Sequence, residues 1–290
     1  MIVKVNGGLG NQMFQYASGR ALSQGTGEPL QLEVSAFDRM AAEDTPRRYE
    51  LDLFNINAST VKPWHIAMFA KSSRVNRALN RLWEKRFKVV REKKDFVFDE
   101  PLSAADLQNS LLIGYWQSYR YFARIRSLLQ KEFQPKGKPN SKNSELIEFL
   151  KNNDTVSIHV RRGDYISNPN AAQFHGSCDL GYYRRGIEKL QAETHFKHTF
   201  VFSDDPAWCQ ENLDLPWKTT FIKHNSGSEA YWDIYLMSLC KAHIIANSSF
   251  SWWGAWLAGE QSKMVIAPKR WTLAIDSDYS DLLPAEWIKI

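Results

Sequence analysis

The sequence has 290 residues and a net charge of +5, with the apolar fraction (43%) and charged fraction (24%) of an ordinary globular protein. That length suffices for two compact domains. Neither a run of about 18 apolar residues nor a secretory signal segment occurs, so we expect a cytoplasmic protein without a spanning helix. The three cysteines lack C-x-x-C spacing, which argues against disulfides and a thiolate zinc site and predicts buried free thiols (Cys178, Cys209, Cys240).

The first predicted elements are a strand (2–6), a glycine-rich turn (7–10) and a helix (11–24). Met13 stands where a dinucleotide-binding fingerprint has its third glycine, so the turn does not favour NAD binding. Asn11 and Gln12, at the helix start, are instead candidates to contact a sugar and a phosphate across a cleft between two domains.

Residues 62–94 form a basic segment with eleven Lys or Arg residues and two Glu residues. Apolar residues recur at helical spacing (Val75, Leu79, Leu82, Trp83), and basic residues lie on another face (Arg74, Arg77, Arg81, Lys85, Lys88). This pattern fits either a surface for anionic lipid or an anionic acceptor, or a solvated helix face. Nucleic-acid binding is not indicated, because the chain has neither a sequence-wide basic stripe nor an RNP-like aromatic motif.

The second half of the chain alternates strands and helices more clearly than the first. A segment rich in Pro, Gly, Asn, Ser and Lys (134–144) predicts a linker, and hence domains 1–140 and 141–290. We predict parallel β-α-β crossovers and an α/β fold with two Rossmann-like domains facing across a cleft. The predicted strands are 30–34, 111–115, 155–160, 199–202, 219–222, 243–246 and 264–267, and the predicted helices are 119–133, 145–151, 182–194, 206–212, 229–241 and 251–258.

Charged residues follow two of these strands. Arg161 and Arg162 come directly after the strand that contains His159, and Gly163 and Asp164 follow them. Paired arginines at the carboxyl end of a parallel strand suit a diphosphate, although a salt-bridged surface turn is the alternative. Asp204 and Asp205 end the next strand. They are candidates for hydrogen bonds to a nucleoside, for a metal site or, for one of them, for a helix cap.

A third strand leads into a polar loop and an aromatic helix, with Asn247, Ser248, Ser249 and Phe250 at the junction. Ser and Asn at a helix N-terminus are natural caps, and the positive end of the helix dipole also attracts anions. The tryptophans that follow could stack on a sugar or a base, but for at least two of them the pattern favours core packing (Trp252, Trp253, Trp256).

Together these residues resemble the motifs of the bacterial and animal α-1,2-fucosyltransferases. The resemblance covers nearly the whole chain except the basic segment and the tail after residue 268. It comprises the run 7–17 (GGLGNQMFQYA), the motif 159–165 (HVRRGDY), Ser203-Asp204-Asp205, Leu236-Met237-Ser238 and residues 247–253.

The resemblance implies a GT-B-type architecture and transfer of L-fucose from GDP-fucose to O2 of a β-galactoside in an oligosaccharide, with inversion and without a metal or other cofactor. It implies that Arg161 holds the diphosphate, that Arg162 assists or shapes the loop, and that Asp204 binds the nucleoside. The phosphate and nucleoside pocket would be lined by Asn247, Ser248, Ser249 and Phe250, with Asn11 and Gln12 reaching the donor from the N-terminal domain. His159 and Asp164 are candidate bases, and each could instead orient an arginine.

Three alternatives remain at this point. The first is another nucleotide-sugar glycosyltransferase. The second is a metal-dependent transferase that uses Asp204 and Asp205, which a chelator would inactivate. The third is a glycan-binding or peripheral-membrane module without catalysis, in which the arginine pair and the serine cap would have no obvious use.

Overall fold

The structure is a computed structural model that describes residues 1–38, 47–61, 88–100, 107–163, 176–193, 196–273 and 278–290. The chain divides into two compact units, Met1–Phe133 and Gln134–Ile290. Each unit is an α/β arrangement built on one parallel sheet, which confirms the predicted fold class. Asp164 and residues 62–87 of the basic segment lie outside the described residues.

The first unit contains a five-stranded sheet in the order β3-β2-β1-β5-β4, and the pairings described between its strands are all parallel. Its strands are β1 (Ile2–Lys4), β2 (Gln31–Glu33), β3 (Ser59–Thr60), β4 (Lys88–Arg91) and β5 (Ser110–Ile113). The sequence analysis missed β3 and β4. It also placed Lys88 on a helix face, which is wrong, because the β-branched pair Val89-Val90 forms an edge strand with β5.

Helix α1 (Leu9–Thr26) starts after the N-cap residue Gly8 and ends at Gly27, which adopts the left-handed conformation (φ 71°). It buries Met13, Ala17 and Ala21, the i, i+4, i+8 stripe expected of a core-facing helix. The helix predicted from residue 119 begins as α2 only at Arg126 (Arg126–Glu132), because the backbone at Phe122 (φ −130°, ψ 4°) leaves the helical region between two short turns.

The second unit contains a six-stranded sheet in the order β11-β10-β9-β6-β7-β8, again with parallel pairings. Its strands are β6 (Thr155–Val160), β7 (His198–Ser203), β8 (Lys218–Ile222), β9 (Ala242–Ile244), β10 (Met264–Ala267) and β11 (Ile288–Lys289). Its helices are α3 (Ser141–Asn152), α4 (Leu180–Glu193), α5 (Pro206–Asn212), α6 (Tyr231–Leu239) and α7 (Ser249–Ala258). Helix α3 starts inside the predicted linker, because the Asn140 side chain caps it by accepting from Asn143 N at 2.8 Å.

The central strand β6 is buried at all six positions, as expected for a parallel strand covered on both faces. Val156, Ile158 and Val160 belong to the apolar core on one face, together with Tyr182 and Tyr183 of α4. Helix α7 is itself core, since its tryptophans are at most 2% exposed, which confirms the packing interpretation for all three (Trp252, Trp253, Trp256).

Candidate functional site

The sheet of the second unit has a topological switch point beside β6. From β6 the chain adds β7 and β8 on one side, and β9, β10 and β11 then lie on the other side. The carboxyl ends of β6 and β9 are therefore neighbours at the point where open α/β sheets bind ligands. The loops that leave this point begin at Arg161 and Ile245.

Asp204, which follows β7, holds the loop that follows β6. Its Oδ2 lies 3.2 Å from Arg161 Nη1, and its carboxylate accepts hydrogen bonds from the backbone N–H groups of Arg162 (2.9 Å) and Gly163 (3.0 Å). A Cβ at Gly163 would lie 2.9 Å from Asp204 Oδ2, so glycine leaves room for this carboxylate. The loop path and the Arg161 side chain both depend on an acid from the neighbouring strand.

Arg162 is braced against the start of α5. Its Nε lies 3.6 Å from Asp205 Oδ2, and its guanidinium carbon lies 3.8 Å from the centroid of the Trp208 ring, a cation–π contact. Asp205 Oδ1 also accepts from Trp208 N at 3.1 Å and caps α5, which confirms that one of the two acids is a helix cap. These contacts support the loop-shaping role of Arg162.

Helix α7 begins at the carboxyl end of β9, with its positive dipole end beside the switch point. The Ser248 hydroxyl caps it by accepting from Phe250 N at 3.4 Å, and Ser249 is the first helical residue. The buried Asn247 amide donates to the carbonyls of Gly176 (3.0 Å) and Trp271 (3.2 Å). Asn247 therefore ties two other segments to this loop.

His159 and Phe250 link the two loops. Their ring centroids are 5.7 Å apart with an interplanar angle of 33°. Burial, and secondarily the adjacent Arg161 guanidinium, lower the pKa of His159 to about 3. The imidazole is therefore neutral at physiological pH, and a group with that pKa is a poor general base there.

Asn11 and Gln12 lie in the first unit, at the start of α1. The Gln12 amide is buried, donates to the carbonyls of Gly7 (3.0 Å) and Arg48 (2.8 Å), and accepts from Glu50 N (3.0 Å). It holds the 47–50 segment against the glycine turn. Asn11 is partly exposed, and its Oδ1 accepts from Gln117 Nε2 at 2.8 Å.

The predicted residues thus fall into four groups. Arg161, Arg162 and Asp204 contact one another, and His159 and Phe250 meet across the switch point. Ser248, Ser249 and Asn247 follow the adjacent strand, whereas Asn11 and Gln12 belong to the other unit. Ligand contacts for all of these residues remain predictions.

The sequence analysis missed several polar contacts at these sheet edges. The Arg162 guanidinium lies over the Trp208 ring. The position of Trp208 in a helix, two residues after Pro206, does not predict that contact. Asp233 on α6 is a second omission. Burial raises its pKa to about 7, although a hydrogen bond from Asn225 Nδ2 (2.8 Å) lowers it. An acid inside an apolar helix (YWDIYLMSL) is the signal that could have identified it.

The described residues contain no cluster of three or more His, Cys, Asp or Glu side chains suited to a metal ion. Of their helices, none combines the length and apolar character needed to cross a bilayer. The three cysteines are free thiols, and Cys209 and Cys240 are buried as predicted, whereas Cys178 is partly exposed.

Two parallel sheets, with paired arginines and a helix N-terminus at a switch point, define an α/β protein equipped to bind an anionic ligand. The whole chain, residues 1–290, matches glycosyl transferase family 11. The protein belongs to this family and is therefore a glycosyltransferase.

Its relatives come from bacteria and animals. It is 33% identical to an alpha-1,2-colitosyltransferase of Escherichia coli, over 100% of this chain and 98% of that protein. It is 34% identical to the O-antigen biosynthesis glycosyltransferase WbnK of Escherichia coli, over 99% of each. Identity to galactoside alpha-(1,2)-fucosyltransferase 2 of Oryctolagus cuniculus is 24%, over 89% of this chain and 66% of that protein.

A solved structure supports the fold. The chain matches the crystal structure of fucosyltransferase NodZ from Bradyrhizobium with a TM-score of 0.51 and 14% identity, over 87% of this chain and 91% of that one. At that identity the similarity speaks for the architecture alone, and it agrees with the two Rossmann-like sheets predicted from the sequence.

Proposed function

We propose that the protein transfers L-fucose from GDP-β-L-fucose to O2 of a β-galactoside, as an inverting α-1,2-fucosyltransferase that needs no metal. The observation that carries the proposal is the Arg161 guanidinium, held by Asp204 at the switch point beside the N-terminus of α7. Two relatives support the linkage, because the names of the Escherichia coli colitosyltransferase and the rabbit fucosyltransferase both state α-1,2 transfer.

Charge stabilisation of the leaving group is the chemistry this site favours. Cleavage of the bond between fucose and GDP leaves negative charge on the diphosphate and oxocarbenium character on the sugar. A fixed guanidinium and the N–H groups of a helix N-terminus lower the energy of that charge, and each such group contributes roughly 10² to 10³ in rate.

The contacts of Asp204 and Asp205 support metal independence. Asp204 binds Arg161 and two backbone N–H groups, while Asp205 caps α5 and contacts Arg162. Both carboxylates already have partners, so we infer that arginine supplies the positive charge that a metal supplies elsewhere. The base that takes the O2 proton is unassigned, since the lowered pKa disfavours His159.

Colitosyl transfer is the second candidate, and the 33% identity to a colitosyltransferase favours it. Colitose differs from fucose only in lacking the hydroxyl on the third carbon. The same diphosphate site therefore serves either donor, and a contact to that hydroxyl decides between them. An enzyme that bonds this hydroxyl rejects the deoxy sugar strongly, because a buried polar group would lose its partner.

The test uses purified protein with GDP-fucose or GDP-colitose and a panel of β-galactosides, with and without EDTA. We expect release of GDP and an α-1,2-linked fucosyl product, identified by NMR and insensitive to EDTA. Preference for GDP-colitose would identify colitose, and not fucose, as the transferred sugar. Loss of turnover in EDTA, with recovery on added metal, would overturn metal independence.

We also propose that the basic segment 62–94 holds the enzyme at an anionic membrane surface on the cytoplasmic side. Strand β4 lies in the part of this segment that the structure describes, and its Lys88 and Arg91 are exposed. Co-sedimentation with phosphatidylserine vesicles tests the proposal. Replacing four basic residues by serine (Arg74, Arg77, Arg81, Lys85) should release the protein, and unchanged sedimentation would contradict it.

A further inference from the structure

The sheet of the first unit has a switch point of its own. From β1 the chain adds β2 and β3 on one side, while β5 and then β4 lie on the other side of β1. The loops after β1 and β5 therefore start at neighbouring strand ends, the usual place for a ligand. These loops contain Gly7 and Tyr115.

Tyr115 is one of three large apolar or aromatic side chains that are exposed in the described chain, at 37%. Its N–H donates to Glu92 Oε2 at 2.7 Å. Burial raises the pKa of its hydroxyl, and the nearby Asn6 side chain lowers it. Asn6 is itself held by Gln15, which donates to Asn6 Oδ1 at 2.6 Å and accepts from Asn6 N at 3.0 Å. The ring is therefore solvent-accessible, while its backbone is held by Glu92 and its hydroxyl lies near the Asn6 side chain.

Glu92 fixes the backbone on which this ring stands. It follows β4, and its Oε2 accepts the N–H of Tyr115 at 2.7 Å. Burial raises the pKa of Glu92 above its ordinary value, although nearby backbone N–H groups lower it. A Cβ at Gly114 would lie 2.7 Å from Glu92 Oε2 and 2.4 Å from its Cβ, so glycine is required where the acid crosses the loop.

The Asn11 side chain lies near the ring on the side of α1. The Tyr115 ring lies 3.4 Å from the position that a Gly7 Cβ would occupy, and Asn11 Nδ2 lies 3.1 Å from the same position. Gln117 donates to Asn11. The Arg47 guanidinium lies 3.6 Å from a Cβ built on Gly8. An aromatic face with planar amides beside it suits a sugar ring, which offers C–H groups on one face and hydroxyls at its rim.

We propose that Tyr115 is the stacking platform for the terminal galactose of the acceptor, and that Asn11, oriented by the buried Gln117, bonds its hydroxyls. This inference rests on the proposed transfer to a galactoside. The axial hydroxyl of galactose leaves one face of the ring apolar, which matches an exposed aromatic side chain. Because Glu92 already holds the Tyr115 backbone, little backbone entropy is lost when the sugar binds.

The experiment measures galactoside binding directly, by saturation-transfer NMR on the full chain with methyl β-D-galactoside and N-acetyllactosamine. We expect transfer to the C–H groups of the apolar face, loss of that signal in Tyr115→Ala and Tyr115→Leu, and retention in Tyr115→Phe, which keeps the ring. Leucine keeps apolar volume, so it serves as the second variant if alanine impairs folding. The KM for N-acetyllactosamine should rise about tenfold without the ring.

Phe149→Ala is the matched control, because Phe149 is also 37% exposed but lies on α3 of the second unit. It should leave the galactoside signal unchanged. Equal signals from wild type and Tyr115→Leu, or no signal from wild type, would overturn the inference. The proposed function fails by a different measurement, the absence of GDP-fucose turnover in a protein that still binds galactoside through Tyr115.

Discussion

The two switch points share a topology but differ in the chemistry of their loops. In the second unit, guanidinium groups and a helix N-terminus meet at the carboxyl ends of β6 and β9. In the first unit, an exposed aromatic ring and amides meet at the ends of β1 and β5. The fold therefore provides the place for a ligand, while the loop residues determine which ligand chemistry that place favours.

Both loops are nevertheless held by the same device. A carboxylate from a neighbouring strand accepts backbone N–H groups of the loop, and a glycine leaves room for it. In the second unit Asp204 accepts two of them beside Gly163, and in the first Glu92 accepts that of Tyr115 beside Gly114. Only Asp204 also contacts a cationic side chain in the loop it holds, so removing each acid should have different consequences.

The largest effect is expected from Arg161→Ala. Loss of the guanidinium should lower kcat for fucosyl transfer by roughly 10² to 10³, because the charge on departing GDP loses its main stabiliser. Arg161→Lys should recover only part of the activity, since lysine lacks the planar fork. Arg184→Ala on the exposed face of α4 is the control and should retain full activity. A kcat for Arg161→Ala within threefold of the control would remove the basis of the proposed function.

The next effect concerns one acid in each unit, the buried Glu132 and the partly buried Asp233. Glu132 in the first unit pairs with Arg20 at 3.0 Å, whereas Asp233 in the second is hydrogen-bonded to the neutral amide of Asn225. The pKa of Asp233 is about 7 in the folded protein and about 3.9 in the unfolded chain. The stabilising contribution of Asp233 is therefore complete below about pH 4 and is lost as pH rises through 7. The second unit should lose up to about 4 kcal/mol over this range.

Hydrogen exchange of α6 peptides at pH 5 and pH 8 measures this loss locally. Asp233→Asn should flatten the pH dependence, because asparagine keeps an acceptor for Asn225 and carries no charge. Asp214→Asn, at an exposed position after α5, should keep the wild-type slope. Identical slopes in wild type and Asp233→Asn would show that another group controls the pH dependence.

Gly114→Ala tests the glycine of the first unit. The added Cβ would lie 2.4 Å from Glu92 Cβ, and overpacking of this kind costs about 1 to 3 kcal/mol in the free energy of unfolding. Urea unfolding followed by far-UV circular dichroism measures it. Adding Glu92→Ala should not restore stability, because alanine keeps the Cβ that clashes. Full recovery of the free energy of unfolding in the double variant would show that the added methyl group clashes with the Glu92 carboxylate and not with its Cβ.

Asp204→Ala should have the smallest effect of the four, a fall of about tenfold in kcat/KM for GDP-fucose. Arg161 and two backbone N–H groups lose their shared acceptor, but the guanidinium itself remains. Asp204→Asn should be intermediate, since one amide oxygen replaces two carboxylate oxygens. Asp214→Ala is the control. A loss confined to nucleoside recognition, with guanosine affinity falling as much as GDP affinity, would favour the predicted nucleoside role of Asp204 over positioning of Arg161.

The sequence by itself determined the α/β class and most of the second unit. Strands 155–160 and 264–267 and the helix 206–212 were predicted with the observed bounds, because alternating apolar runs and a Pro-initiated, Asp-capped helix are local signals. It missed β3 and β11, since two-residue strands carry almost no periodicity, and β4, which lies in a segment dominated by charge. The motifs also placed Arg161 and Ser248 at strand ends.

Only the tertiary structure decided what each polar residue of those motifs contacts. Gln12 looks available at a helix start, but its amide is fully used by Gly7, Arg48 and Glu50. Tyr115 looks like the end of an apolar strand, but Glu92 holds its backbone and its ring is exposed. Sequence periodicity uses the near neighbours of a residue in the chain to predict whether that residue is buried. Its hydrogen-bond partners come from distant segments, which meet only when the sheets form.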